Sequence, residues 1–255
     1  MIDSGIRFKD WIYMQAVPLN VLLLKNYPIY RQLQLEEALL RADAQNWCLI
    51  NEGTSPAIVL GISGKVELLL NQELLKKNPI PVIRRFSGGG TVVVDESTCF
   101  VTFICNSQEL QVPAYPDKIY QWTEKIYQAL FCDLPFRLIE NDYALGNKKF
   151  GGNAQYLRKE RWLHHTSLLW DFDPQRMEYL LFPPKTPQYR KERGHGEFLC
   201  RLKDHHLDKA ELLGNLVSVL EQRFALHMHT EVTVFKILER PHRKATLLIN
   251  MDGEK

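Results

Sequence analysis

The chain of 255 residues is 45% hydrophobic and 24% charged, proportions that suit a globular protein with a substantial core. Its 32 basic and 30 acidic residues leave a net charge of +2, too small for a protein held to nucleic acid by electrostatics. Residues 1–7 lack the basic and apolar regions of a signal peptide, and no apolar run could span a bilayer. We therefore expect one domain over residues 1–255 in the cytoplasm, or in an organelle after loss of a transit peptide, without nucleic-acid or membrane partners.

The five cysteines are odd in number, are scattered along the chain and form no CxxC pair. This pattern favours neither a disulfide framework nor a zinc knuckle. We expect reduced thiols, which are typical of a cytosol-like compartment.

Hydrophobic periodicity predicts the helices and strands in chain order. Helical spacing of apolar residues predicts helices over 29–42, 117–131 and 213–224. Short apolar or β-branched runs predict strands over 21–24, 47–51, 57–61, 82–84, 91–94, 100–105, 136–139, 143–145, 163–170 and 231–237. The basic, proline-rich stretch 183–193 is interpreted as a long surface loop.

Strands outnumber helices in the first half of the chain and follow one another closely. Short connections of this kind imply antiparallel pairing, because a parallel crossover needs a dozen or more residues. We therefore predict one α/β (α+β) domain with a mixed, largely antiparallel sheet flanked by helices.

The run from Arg84 to Asp95, RRFSGGGTVVVD, places two cations and a hydroxyl before three glycines. Glycines allow a tight turn and a close backbone approach to a ligand. Successive N–H groups and arginine side chains can then hold an anion. The alternative is a glycine-rich hairpin with solvated arginines.

A second group of polar residues comprises 140–143 and the glycine-containing stretch 146–155. A lysine close to two glycines can bring a flexible ammonium group against backbone that itself contacts a ligand. A basic turn with Lys148 and Lys149 both solvated is the alternative.

The third group is the pair His164 and His165 in a predicted strand. Adjacent strand residues point to opposite faces, so the pair cannot easily share one metal ion, and we identify no metal site. We expect one histidine to face the core or a cleft and the other to face solvent.

Taken together and in this order, these segments resemble the lipoate–protein ligase A family, within the biotin/lipoate ligase superfamily. The resemblance covers about residues 30–230. Its motifs are RRxSGGG(T/A)V at Arg84–Val92, the pair Asn141–Asp142, KxxGxA at Lys149–Ala154 and HHxxLL at His164–Leu169.

The resemblance implies a catalytic domain with the fold of class II synthetases and biotin ligases. Such ligases join lipoate to ATP, with Mg²⁺, to give lipoyl-AMP and pyrophosphate. They then transfer the lipoyl group to a lysine of a lipoyl domain in a 2-oxoacid dehydrogenase E2 subunit, or of the glycine-cleavage H protein.

The resemblance also implies roles for individual residues. Lys149 would be the catalytic residue, contacting both the lipoyl carbonyl and the α-phosphate. The residues expected to bind ATP or lipoyl-AMP are Arg85, Ser87, Gly88, Gly89, Gly90, Thr91, Val92, Val93, Asn141, Asp142 and Lys149. Gly152, Ala154 and His165 are expected to contact substrate, and Val93 and Leu168 to line an apolar slot for the lipoyl chain.

The chain departs from the family pattern at three positions. Val94 stands where a histidine is frequent, Gly146 is displaced from its usual distance to the lysine, and Thr166 replaces a glycine. The chain also ends soon after the last predicted helix, so we expect no C-terminal accessory domain. The protein would then act alone, with a separate accessory subunit, or on a preformed acyl-adenylate.

Three other functions compete with the ligase. An octanoyl- or lipoyl-transferase would use a preformed acyl donor, in many cases through a cysteine nucleophile. Cys132 is the nearest candidate, but its position at the end of a predicted helix indicates a buried structural thiol. A non-catalytic adapter could bind lipoyl domains or nucleotide, and biotin ligation is disfavoured because the GRGR pattern is absent.

Overall fold

The computed structural model of the protein describes residues 16–251, so the stretch 1–7 lies outside the described part. Its α-helices are α1 (Ile29–Ala42), α2 (Val66–Leu69), α3 (Gln72–Lys77), α4 (Pro116–Leu130), α5 (Pro174–Met177), α6 (His195–Phe198), α7 (Lys209–Glu221) and α8 (Glu231–Phe235). Its strands are β1 (Pro18–Lys25), β2 (Trp47–Glu52), β3 (Ala57–Leu60), β4 (Val82–Arg84), β5 (Gly88–Gly89), β6 (Val92–Val94), β7 (Thr98–Asn106), β8 (Phe136–Ile139), β9 (Asp142–Leu145), β10 (Lys148–Leu157), β11 (Arg161–Leu169), β12 (Ala225–His229) and β13 (Leu247–Ile249).

Within this range, nine strands form one large sheet in the order β12-β1-β2-β7-β11-β10-β9-β8, with β5 paired to β10. Pairing is antiparallel from β2 to β8 and parallel between β1 and its two neighbours. A smaller sheet has the order β13-β4-β3-β6. The predicted mixed, largely antiparallel α/β architecture is therefore confirmed.

Helices cover both faces of the large sheet, which explains why β7 and β11 are buried along almost their whole length. On one face, α4 and α7 pack Ile126 and Leu216 into the main hydrophobic core. On the other face, α1 packs Leu35 and Leu39 into a second core. A residue of β11 is therefore enclosed whichever face it points to.

The predicted helices over 29–42 and 117–131 correspond to α1 and α4 and are confirmed. The third, predicted over 213–224, is α7, which begins earlier and ends at Glu221. The strand predicted over 231–237 is wrong, because this segment forms α8 and a 3-10 helix at Lys236–Glu239. Val234 and Ile237 are buried three residues apart, a helical spacing that the β-branched composition obscured.

Four strands were not predicted: β5, β10, β12 and β13. β10 contains Gly151 and Gly152, which interrupt the apolar alternation that marks a strand. β12 contains two histidines, lies on the edge of the large sheet and has no buried position. No helix within residues 16–251 combines the length and apolar character that a bilayer crossing requires.

The carboxylate of Glu37 anchors the C-terminal part of the described chain to α1. It is buried and accepts hydrogen bonds from the backbone N–H of Ala245, and from the backbone and hydroxyl of Thr246, at 2.9–3.1 Å. The Arg41 guanidinium pairs with it at 2.9 Å. This anchor lies just before β13, which completes the small sheet.

We predict that Glu37→Gln lowers the free energy of unfolding by about 2–4 kcal/mol, because it weakens several charge-assisted bonds and leaves Arg41 unpaired. The control is Glu73→Gln, which breaks an exposed pair with Lys76 and should cost less than about 0.5 kcal/mol. Urea denaturation measures both. Equal effects of the two substitutions would contradict the anchoring role.

Candidate active site

A cavity of about 730 Å³ opens between the glycine block, strands β9–β11 and the segment that follows Leu180. This volume lies within the range of small-molecule sites, roughly 300–1,000 Å³. Ile29, Val59, Phe100 and Leu169 form apolar parts of its wall. The charged side chains on the described wall are Lys65, Arg85, Lys149, Lys185, Arg190 and one carboxylate, Asp142. Five cations against one anion favour a negatively charged ligand.

The glycine block folds over β10 because Gly88 and Gly89 pair with Gln155 and Ala154 as strand β5. Gly89 has φ +124°, and a Cβ atom there would lie 2.8 Å from the Asn153 carbonyl oxygen. Only glycine therefore fits this crossing. A Cβ atom on Gly90 would meet nothing within 4 Å, so the backbone at Gly90 borders open space in the cavity.

Arg85 lies beneath this loop and is buried. Its Nη2 donates to the carbonyl oxygens of Gly90 at 2.7 Å and Gly88 at 3.4 Å, and its Nη1 donates to Val59 at 3.4 Å. Its Nε has no partner, and no carboxylate of the described chain forms an ion pair with it. Burial lowers the pKa of Arg85 to about 10, which leaves a cation at neutral pH. A buried cation that forms no direct ion pair with the described residues stabilises an anion in the adjoining cavity.

Lys149 is held inside the cavity rather than in solvent. Its Nζ pairs with Asp142 Oδ1 at 2.8 Å, and Asp142 Oδ2 accepts a hydrogen bond from the Tyr189 hydroxyl at 3.0 Å. A Cβ atom on Gly152 would lie 3.5 Å from the ammonium nitrogen, so the lysine side chain lies against Gly152. Lys148 is exposed. The interpretation as a turn with two solvated lysines is therefore wrong for Lys149.

Residues 182–200, here called the capping segment, form one side of the cavity. Arg190 stacks between the rings of Phe182 and Phe198 at 4.4 and 5.0 Å, and its buried Nη2 has no hydrogen-bond partner among residues 16–251. Burial and the charge of Arg193 lower the pKa of Arg190. The stretch 183–193 is thus not only a surface loop, because its arginine is enclosed against the cavity.

His164 and His165 are both buried, at 0% and 6% exposure, so the prediction that one faces solvent is wrong. His164 points toward α4, where it contacts the Tyr143 hydroxyl at 3.1 Å, and burial lowers its pKa to about 3. His165 points toward α1, where its Nδ1 lies 3.0 Å from Glu36 Oε1. Only His165 borders the cavity.

Most of the residues predicted for the site come together on the cavity wall. These are Arg85, Gly89, Gly90, Thr91, Val92, Val93, Asn141, Asp142, Lys149, Gly152, Ala154 and His165. Ser87 and Gly88 lie behind the wall, and Leu168 is wrong for the slot, because it points into the main core. Strand alternation from His165 would have indicated Ser167 and Leu169, which do border the cavity.

Cys132 is exposed at the end of α4, so its predicted burial is wrong. It is not on the cavity wall, and the part of the wall formed by residues 16–251 contains no cysteine. Across the same residues, no three His, Cys, Asp or Glu side chains are grouped as metal ligands.

Comparison with known proteins assigns the family. The sequence profile described as the lipoyl protein ligase A/B catalytic domain matches residues 28–213. The chain belongs to this family. The resemblance stated from the four motifs is thereby confirmed.

The curated relatives described next share 28–30% identity with this chain over the aligned residues. The chain is 30% identical over 193 residues to "Inactive lipoate–protein ligase 2" of Plasmodium falciparum, covering 62% of this chain and 50% of that protein. It is 28% identical over 145 residues to "Lipoate-protein ligase LplJ" of Bacillus subtilis, covering 54% and 42%. The chain thus spans about half the length of these curated relatives.

Solved structures show the same fold. A bi-partite lipoate protein ligase from Thermoplasma acidophilum matches with a TM-score of 0.73 at 19% identity, covering 88% of this chain and 91% of that one. A lipoate-protein ligase A bound with ATP matches with a TM-score of 0.71 at 18% identity, covering 89% and 93%. At these identities the likeness establishes the fold alone.

We predict that Gly89→Ala lowers the free energy of unfolding by about 1–3 kcal/mol, because alanine is strained at this φ and meets the Asn153 carbonyl. Gly90→Ala is the matched control and should be neutral, or stabilising by up to about 1 kcal/mol. Thermal and urea unfolding measure both. If Gly89→Ala were as stable as Gly90→Ala, the glycine block would not cross β10 as described.

Proposed function

We propose that this chain is a lipoate–protein ligase that activates lipoate with ATP and transfers the lipoyl group to a lysine of an acceptor protein. One observation carries the proposal: a single cavity joins a cationic glycine loop, an apolar wall and the ammonium group of Lys149. The family match supports the same reading. A carboxylate is a poor acylating agent, and conversion to an acyl-adenylate supplies the leaving group that it lacks.

The nucleotide phosphates are expected to bind along Gly90–Val93, where backbone groups border the cavity above buried Arg85. The Arg190 guanidinium, with one buried nitrogen unpartnered, offers a second positive charge. The lipoyl chain is apolar and suits the wall formed by Ile29, Val59 and Phe100. Binding of both parts would place the carboxylate of lipoate next to the α-phosphate.

Lys149 is the proposed catalytic residue in both half-reactions. Its charge would stabilise the negative charge that develops on the α-phosphate and then on the acyl carbonyl, an effect that raises the rate rather than only the affinity. In the free protein this charge is neutralised by Asp142 at 2.8 Å. We infer that the ligand phosphate competes with Asp142 for the ammonium group.

Asp142 is also the one described carboxylate on the wall that could meet a nucleotide-bound Mg²⁺. Mg²⁺ is usually held by one or two carboxylates together with substrate phosphates, so the residues present fit such an ion. Its role would be to neutralise phosphate charge. Asn141 and Asp142 lie at the start of β9, next to Lys149, which would bind the same phosphates.

The proposed acceptor is a lipoyl domain of a 2-oxoacid dehydrogenase E2 subunit. The Thermoplasma acidophilum neighbour is described as a bi-partite ligase studied with its E2 lipoyl domain, which supports this class of acceptor and an accessory subunit. The glycine-cleavage H protein is a further candidate acceptor. The proposed location of the reaction is the cytoplasm.

A transferase that uses a preformed acyl donor is the second candidate, because one relative is named an inactive ligase. The cysteine-dependent form of this reaction has no cysteine available on the described wall. A transferase would therefore act on lipoyl-AMP through Lys149.

We predict that the purified chain exchanges labelled pyrophosphate into ATP when lipoate and Mg²⁺ are present. Lys149→Ala should lower this exchange at least about 100-fold, since it removes the charge that stabilises the transition state. Lys148→Ala is the matched control and should remain within about twofold of the unmodified chain, because Lys148 is exposed and does not border the cavity.

Three other outcomes separate the candidates. Absence of exchange, together with modification of an apo-lipoyl domain when lipoyl-AMP is supplied, would favour the transferase. Binding of the lipoyl domain without modification by either route would favour the adapter. Equal loss in the two lysine variants would remove the argument for Lys149.

A further inference from the structure

A buried carboxylate lies directly behind the histidine that borders the cavity. Glu36 in α1 is fully buried and accepts hydrogen bonds from Gln32 Nε2 and Thr102 Oγ1, both at 2.8 Å. Its Oε1 lies 3.0 Å from His165 Nδ1. Asn51 donates to Gln32 at 2.9 Å and fixes that amide in turn. Buried polar groups satisfied in this way hold one another in a single arrangement.

The same bonds determine the tautomer of His165. The Thr102 hydroxyl lies 2.9 Å from His165 Nδ1, but its one hydrogen is donated to Glu36. Glu36 Oε1 already acts as an acceptor toward Gln32 and Thr102, so the hydrogen between this oxygen and His165 belongs to Nδ1. In the neutral ring, Nε2 then carries a free lone pair. Nε2 lies 3.4 Å from Ser167 Oγ, which also borders the cavity.

Strand register places this lone pair on the same face as Lys149. His165 lies opposite Ala154, and Ser167 lies opposite Gly152. Directly opposed residues of an antiparallel pair share one face of the sheet. The ammonium of Lys149 lies against Gly152, so the order along this face is the lysine charge, the Ser167 hydroxyl and the imidazole.

We propose that His165 is the proton acceptor of the transfer half-reaction and that Glu36 is its positioning residue, an inference that rests on the proposed function. The acceptor lysine enters as a neutral amine and attacks the acyl carbon of the acyl-adenylate. A C–N bond forms, the nitrogen becomes cationic, and its proton passes to His165 Nε2 directly or through the Ser167 hydroxyl. The acyl C–O bond breaks, and AMP leaves with its electron pair.

The groups around His165 support a proton acceptor. Glu36 faces it from α1 and stabilises the imidazolium that forms, as a carboxylate behind a catalytic histidine does. Arg85 lies close enough to Glu36 for an electrostatic interaction between the two side chains. His164, its neighbour in β11, is neutral because burial lowers its pKa to about 3. Thr102 and Phe100 complete the surroundings from β7 without a charge.

The test compares two adjacent buried histidines. His165→Gln and His164→Gln are measured in single-turnover transfer from preformed lipoyl-AMP to an apo-lipoyl domain, and in pyrophosphate exchange at saturating lipoate and ATP. We expect His165→Gln to slow transfer about 100-fold, the lower range for loss of a general base, while exchange stays within about threefold. His164→Gln should leave the ratio of transfer to exchange unchanged.

The pH profile and the tautomer give readouts that a structural role would not change. The transfer rate of the unmodified chain should rise with pH in a step that His165→Gln lacks. Glu36→Gln should also slow transfer, because a neutral amide stabilises the imidazolium less than a carboxylate does. Imidazole ¹⁵N shifts should show hydrogen on Nδ1 of His165 in the unmodified chain.

Each opposite result overturns the proposal. Transfer and exchange falling together in His165→Gln would indicate damage to binding or folding instead of proton transfer. A ring hydrogen on Nε2 in the unmodified chain would exclude the acceptor role even if activity were normal. If the unmodified chain neither exchanges nor transfers, the proposed function fails first, an outcome distinct from a working ligase that tolerates His165→Gln.

Discussion

The pairing of Gly88 and Gly89 with β10, the strand that contains Lys149, is the constraint on which the rest of the site depends. Gly88 and Gly89 pair with Gln155 and Ala154 of β10, although β10 belongs to a different part of the sequence. The crossing requires glycine at Gly89 and at Gly61, because a Cβ atom on Gly61 would clash with the Gly89 carbonyl oxygen. It brings the cationic loop and Lys149 to one cavity.

The electrostatics of the cavity follow from this crossing. Arg85 is committed to the carbonyl oxygens that hold the loop, so its charge acts on a ligand from beneath the backbone. Lys149 is neutralised by Asp142, which Tyr189 of the capping segment holds in place. When a polyanionic ligand binds, Lys149 would exchange its one carboxylate partner, Asp142, for several phosphate oxygens. The cavity of the free protein therefore favours the binding of an anionic ligand.

Sequence reasoning predicted the parts of the site but not how they are supported. The glycine block, the Asn141–Asp142 pair and Lys149 carry recognisable chemistry, and the helical spacing in α1 and α4 is regular. Burial of both histidines could not be predicted, because it depends on helices that cover opposite faces of β11. The support that Tyr189 gives to Asp142, the partner of Lys149, could not be predicted either, since Tyr189 and Asp142 lie 47 positions apart in the sequence. The β-branched segment from Glu231 was misread because its buried positions have helical spacing.

The central claim is that one cavity binds an acyl-adenylate with Lys149 at its reacting centre. The most direct measurement is a crystal structure of the chain with a non-hydrolysable lipoyl-adenylate mimic whose phosphate is replaced by a sulfamate. We predict that the lipoyl chain lies against Phe100 and Val59, and that Lys149 Nζ leaves Asp142 to contact the sulfamate and the acyl oxygen. A mimic bound elsewhere, or an ion pair with Asp142 that persists while the sulfamate lies out of reach of Lys149, would contradict it.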